Sequence, residues 1–173
     1  MTSKDRENRL VTLLRDWGIA NAQDCVQAHS RVGGLLSDCV ALLENESGGR
    51  NIFGADPGGY ALPTQWYDTP VTRYKYTIYK IRRNMGMTPN GVGPCQLTST
   101  DLQKEAERLG GCWKPHYNMI VGFVFLKQLQ DQYGRRNGFR SFNGSGPAAE
   151  SYADRAIERS NIWHDRFVRA GLA

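Results

Sequence analysis

The sequence predicts a mainly α domain, a helical bundle arranged around one central buried helix. Apolar residues recur at helical spacing in separate runs along the 173 residues, and each run is bounded by a capping residue or a glycine. One run, Met119 to Leu126, is apolar on every face, as expected of a helix wrapped by others. Residues 50–68 alone break the pattern, and there glycine, proline and aromatic residues alternate.

Taken in order, Leu10, Leu13, Leu14 and Trp17 define a first helix over residues 5–17, with Gly18 as its stop. A second helix is expected from Asn21 to His29, separated by Gly33 and Gly34 from a third that begins at Leu35 and Leu36. Cys25 and Val26 of the second would face Cys39 or Val40 of the third. The third helix carries Glu46 to its C-terminal end and stops at Gly48 and Gly49. A carboxylate carried to the rim of a core is partly desolvated, which raises its pKa towards that of a useful general acid. Glu44, two positions away, should point to a different face.

After the irregular stretch, Thr69-Pro70 reads as an N-cap with proline at the first helical position, opening a helix through Val71, Tyr74, Ile78 and Ile81. Its other face carries Arg73, Lys75, Lys80, Arg82 and Arg83, either as a solvated surface or as an attraction for an anionic wall polymer. Ser99 caps a helix from Thr100 to Leu109, closed by Gly110-Gly111. The central helix follows, with Gly122 allowing close packing. Arg135 and Arg136 are read as part of a basic turn from Gly134 to Gly138. A helix from Ala148 to Arg159 and a last one from Asn161 to Arg169 complete the chain.

Composition bounds the function. With 40% hydrophobic and 23% charged residues the chain is ordinary globular material, and its length suits a single domain. Its net charge of +5 and pI near 9.1 favour anionic partners, whether nucleic acid or a phosphate-bearing cell wall. The longest apolar run is eight residues, far below the ~20 needed to span a bilayer, so no membrane insertion is expected. Cys25, Cys39, Cys95 and Cys112 lack the spacing of a zinc site, and His29, His116 and His164 are dispersed; neither metal nor cofactor is expected. Buried thiols are expected, although the even number of cysteines allows disulfides.

Three stretches point to chemistry. Glu46-Ser47-Gly48 is followed by Gly91-Val92-Gly93-Pro94-Cys95-Gln96-Leu97-Thr98, where glycines let a backbone approach a ligand and Gln96 offers a donor and an acceptor. Ser141-Phe142-Asn143-Gly144-Ser145-Gly146 comes third, and Asn143 again supplies an amide. In this order they resemble the lysozyme-like superfamily, specifically goose-type lysozymes and soluble lytic transglycosylases of the phage endolysin kind, over about residues 33–160. Residues 1–32 would then be N-terminal helices and 161–173 a C-terminal helix completing one catalytic domain. Pro94 and Cys95 depart from the family's usual Leu-Met, and Phe142 lacks the hydroxyl of its usual tyrosine.

That resemblance implies an α+β lysozyme-like fold in which a small β-hairpin or a long loop at residues 50–68 forms one wall of a sugar cleft. Phe53, Tyr60, Trp66 and Tyr67 would either stack on sugar rings or cap the core. It also implies cleavage of the β-1,4 bond between N-acetylmuramic acid and N-acetylglucosamine in peptidoglycan. Glu46 would be the general acid and Tyr152 would hold it, with Ser47, Gly93, Gln96, Phe142 and Asn143 binding substrate. The setting implied is a monomeric phage endolysin that binds peptidoglycan glycan strands and no nucleic acid. No signal peptide is visible in the charged Met1–Arg9 segment, so release would run through a holin pore.

Inverting hydrolysis needs a second carboxylate ~6.5–9.5 Å from the acid. Arg83 to Gly91 contains none, so the candidates are Asp56 and Asp68 in the variable stretch. A lytic transglycosylase needs only Glu46, because the substrate's own C6 hydroxyl closes a 1,6-anhydro ring, and the missing carboxylate leans towards that route. Two rivals stand beside it. A cysteine endopeptidase would use Cys95 with His116 as base, and a basic nucleic-acid-binding module would leave Glu46, Gln96 and Asn143 without a role.

Overall fold

A computed structural model describes residues 2–173, and within them the chain is mainly helical. Its helices are α1 (Ser3–Asp16), α2 (Ala22–Val32), α3 (Leu36–Glu46), α4 (Arg73–Asn84), α5 (Thr100–Leu109), α6 (Pro115–Tyr133), α7 (Arg135–Asn143) and α8 (Pro147–Arg169), with a 3-10 turn at Thr64–Trp66. No helix among them is long and apolar enough to cross a membrane.

The core sits where α6 packs against α2, α5 and α7 while α3 packs along α8. Helix α6 is buried over Asn118–Phe123 and at Leu126, and its C-terminal half emerges into solvent. Trp163, Tyr79, Phe53, Phe123 and Phe139 are the largest fully buried side chains, so α8, α4, the loop after α3, α6 and α7 each contribute an aromatic ring to one continuous core. All four cysteines are buried thiols.

Several expected boundaries move, each for a visible reason. The expected basic turn at Gly134–Gly138 is instead the start of α7, because its cations are used in packing. Arg135 donates to the buried carboxylate of Asp38 at 2.7 Å, and Arg136 pairs with Glu150 at 2.8 Å and Asp154 at 2.7 Å. Asp38 also accepts from Ser160 at 2.6 Å and from Gln130 at 3.0 Å, so one buried carboxylate on α3 ties in α6, α7 and α8. The two expected C-terminal helices form one, α8, and the division at residues 160/161 runs through it.

Helix α4 differs most. It begins at Arg73 with Thr72 as its N-cap, while Pro70 makes an isolated bridge with Ile52. Its core face is Tyr76, Tyr79 and Arg83, and the expected apolar face is turned outward, with Tyr74 71% and Ile81 56% exposed. Arg83, expected on a solvated face, is buried against Glu107 at 3.0 Å and Gln103 at 2.9 Å. Gln103 continues the network to Tyr79 and to the carbonyls of Asn90 and Leu97, so the inner face of α4 braces the loop that follows it.

Of the two expected forms of this segment, a small β-hairpin or a long loop, residues 50–72 take the loop, held by isolated bridges at Ile52–Pro70 and Phe53–Val92. Main-chain bonds run from it to residues 91–93: Gly54 N–H to Gly91 O at 2.8 Å and Gly93 N–H to Ile52 O at 2.9 Å. Gly122 does allow a close approach, but of a loop residue. A Cβ there would lie 2.5 Å from Cys95 Sγ. Gly122→Ala is therefore expected to cost about 1–3 kcal/mol by overpacking, measured as a lower denaturation midpoint. An unchanged midpoint would show that Cys95 can move aside.

Candidate active site

Glu46 is the last residue of α3, and three features of its position act on its carboxyl. It lies at the negative end of a helix dipole, against the core, and within hydrogen-bonding reach of Tyr152 on α8. Burial is the largest influence. It pushes the Glu46 pKa from 4.5 up to about 7; the Tyr152 hydroxyl, donating to Oε1, pulls it down, and the charge of Asp56 pushes it up again. No cation figures among these influences, so the carboxyl is free to hold a proton near neutrality.

Tyr152 is itself held in place. Its main-chain carbonyl accepts from Asn45 Nδ2 at 3.3 Å, and Asn45 Oδ1 accepts from Arg159, about two turns further along α8. Burial first, and then the nearby Glu46 carboxylate, raise the Tyr152 pKa, so its hydroxyl stays a donor. The rotamer of Glu46 thus depends on the packing of α3 against α8.

Glu46 opens into a cleft of about 790 Å³. One wall is the 50–72 loop with Ile52, Gly54, Ala55, Asp56, Pro57 and Asp68; the floor passes through Gln96 and Leu97; the far side is Phe125 with Ser141, Phe142 and Asn143. Asp56 Oδ2 accepts from Gly91 N–H at 2.5 Å, which fixes a loop carboxylate beside the glycine turn. Gln96 Nε2 donates to Ile52 O at 3.0 Å and Gly93 O at 2.8 Å. A Cβ on Gly54 would collide with Gln96 Oε1 and lie 2.7 Å from Asp56 Oδ2, so these two oxygens crowd the same backbone. Gln96 and Asp68 both sit at left-handed φ, 45° and 56°, a conformation that is costly for a glutamine and is maintained by these bonds.

The expected site residues therefore separate. Glu46, Gln96, Phe142, Asn143, Asp56 and Asp68 all line the cleft, and Tyr152 supports Glu46 from behind. Ser47 does not act as a substrate contact: it is buried, and its hydroxyl donates to Pro94 O at 2.7 Å, joining the end of α3 to the glycine turn. Gly93 is likewise buried, with the amide of Asn118 where a side chain would be, so its lack of Cβ serves packing and not ligand approach. Asn118 Oδ1 accepts from Cys95 N–H at 2.9 Å and its Nδ2 donates to Val92 O at 2.8 Å, which clamps the turn to α6. Glu44 is absent from the lining.

Three of the four loop aromatics cap the core, and the fourth, Tyr60, does not. Phe53 is fully buried, Trp66 and Tyr67 pack against the core, and Tyr60 is 68% exposed but outside the cleft. Cys95 is fully buried, and burial holds its thiol well above the usual range, so it cannot serve as a thiolate nucleophile. His116 lies instead beside Asp24, at 4.0 Å. Among the described residues no cluster of three or more His, Cys, Asp or Glu could hold a metal ion.

Arg50, Phe125, Leu102 and Asp101 line the cleft without having been expected there. Arg50 follows the glycine pair that ends α3, and its Nε donates to Ser47 O at 2.8 Å. That adjacency was the one available signal; Phe125, 5.5 Å from Phe142, looks in the sequence like any other core residue of α6. No protein-family model matches this chain, and no curated protein or solved structure matches it either.

The raised pKa sets a stability profile. Between pH 4.5 and about 7 folded Glu46 binds more proton than unfolded Glu46, so its contribution is full below 4.5 and is lost as pH rises through 7. Over that window wild type should lose about 3 kcal/mol that Glu46→Gln, which cannot ionise, retains. Thermal melts should show the variant's advantage growing with pH; parallel profiles would mean that Glu46 is not desolvated.

Proposed function

We propose that this protein is a glycosidase that cleaves the β-1,4 bond between N-acetylmuramic acid and N-acetylglucosamine in peptidoglycan, with Glu46 as general acid. The observation that carries the reading is a carboxyl that holds its proton up to about pH 7 at the edge of an open cleft, steadied by Tyr152 and paired with no cation. Such a group protonates the leaving glycosidic oxygen. Amides at Gln96 and Asn143 and the Phe125–Phe142 pair give the cleft polar and flat apolar surfaces suited to an acetamido sugar.

Residues 83–91 hold no carboxylate, and on that ground alone a transglycosylase with Glu46 working by itself is the simpler route. The loop carboxylate changes the balance. Asp56 lines the cleft, is fixed by Gly91 N–H, and its charge acts on Glu46. In a hydrolytic displacement Asp56 would draw the proton from water as Glu46 protonates the leaving group. In this reading the chain is the catalytic part of a phage endolysin, works as a monomer, and reaches the wall through a holin pore.

Digestion of peptidoglycan followed by mass spectrometry tests this directly. Free reducing ends are expected; 1,6-anhydromuramic ends would assign the transglycosylase route, and no glycan cleavage at all would remove the glycosidase reading. Glu46→Gln should abolish turnover, and Asp56→Asn should lower it by about 10²–10⁴. Activity of the wild type should fall as pH rises through about 7, where Glu46 loses its proton. Because the Asp56 charge raises that pKa, any residual activity of Asp56→Asn should fall off at lower pH than in wild type.

A further inference from the structure

Helix α4 has two apolar faces. Tyr76 and Tyr79 turn into the core at 3% and 0% exposure, while Tyr74, Ile78, Ile81 and the C-cap Met85 form a second stripe on the opposite side. At 3.6 residues per turn these four fall within about 60° of arc. Tyr74, Ile81 and Met85 are 71%, 56% and 74% exposed, and Tyr60, whose main-chain carbonyl accepts from Arg82 at 3.1 Å, is exposed as well. None of the four stripe residues lines the candidate active-site cleft.

The charges of α4 are equally one-sided. Its twelve residues contain five Lys or Arg and no Asp or Glu. Arg73 and Lys80 flank the stripe on one edge and Lys75 and Arg82 on the other, each roughly 100° from its centre. Arg82 Nε donates to the main-chain Ala61 O at 2.8 Å, and Lys75 Nζ donates to the Thr69 hydroxyl at 2.9 Å, neither of which neutralises a cation. Glu107 bonds Lys80 and the inward Arg83.

We propose that the outer face of α4 docks on the surface of an anionic lipid bilayer. An apolar stripe bordered on both sides by cations matches a leaflet in which acyl chains lie under anionic headgroups. A wall polymer of phosphates could satisfy the cations but offers no apolar medium for Ile81 and Met85. Twelve helical residues span about 18 Å, too short to cross a membrane, so α4 lies on the surface and leaves the cleft open. The inference rests on α4 alone and stands or falls independently of the chemistry assigned to Glu46.

Co-sedimentation with vesicles of phosphatidylglycerol mixed into phosphatidylcholine tests it, with pure phosphatidylcholine vesicles as the neutral comparison. Wild type should partition onto the mixed vesicles, more weakly as salt rises, and little onto the neutral ones. Ile81→Ser with Met85→Ser should weaken partitioning on the order of a hundredfold. Arg73→Gln, which leaves the stripe intact, should weaken it about fivefold. A polarity-sensitive dye on Met85→Cys, the native thiols being buried, should shift to the blue on anionic vesicles. No binding by wild type, equal binding by the serine double variant, or an unshifted dye would overturn the proposal. So would a wild-type dimer that the double variant abolishes, since the stripe would then join two copies of this chain.

Discussion

The carboxyl of Glu46 is taken out of water without being given a cation, and the contact of α3 with α8 is what holds it there. A buried carboxyl with an arginine beside it would ionise and lose its use as an acid. Here the partner is a tyrosine hydroxyl 106 residues away in sequence, which fixes a rotamer while disturbing the proton affinity less than a charge would. Fixing that tyrosine requires α3 to lie along α8. Asp38, eight residues before Glu46, secures that contact through Ser160 and Arg135. The same helix thus carries two carboxylates with opposite treatment: Asp38 is saturated with donors, and Glu46 is left almost alone.

The cleft walls are built without a sheet. Loop 50–72 and the turn 91–97 hold each other through main-chain bonds, through Gln96, and through the Asp56 carboxylate on Gly91 N–H. Asn118 then fastens the turn to α6. Side-chain amides do here what strand pairing does elsewhere: the Gln96 amide nitrogen donates to two carbonyls of the scaffold, and Asn118 uses both its oxygen and its nitrogen on the turn. The glycines at 54, 91 and 93 are required because these amides and carboxylates occupy the space where side chains would project. Glycine richness near the site therefore reflects crowding by the protein itself.

Behind the turn, the inner face of α4 solves a harder problem, a buried arginine. Arg83 is satisfied by Glu107, Gln103 and the Tyr76 hydroxyl, and the network runs through Tyr79 to the backbone at Asn90. Breaking one member would leave a charge unpaired in the core, which is far more costly than never having buried it. That network is what anchors α4 by its polar side and releases its more apolar side to solvent.

The sequence by itself determined the helical class and most helix positions, because caps, glycine stops and 3.6-residue periodicity are local physics; its three short stretches and the resemblance they carry pointed to Glu46, Gln96, Phe142 and Asn143, and Asp56 and Asp68 were the carboxylates left in the variable stretch. Tyr152 was marked only by what the family resemblance implied. What the sequence could not determine were the choices between two locally acceptable arrangements. The α4 sequence has two usable faces, and only the long-range partners Glu107 and Gln103 decide that Arg83 goes in and Ile81 goes out. Ser47 and Gly93 look like ligand contacts until Pro94 and Asn118, distant in sequence, are seen to claim them. Arg135 reads as a turn cation until Asp38, 97 residues earlier, makes it a helical one. In each case the deciding term is the cost of leaving a buried polar group without a partner, and that cost exists only once the tertiary structure has chosen what is buried.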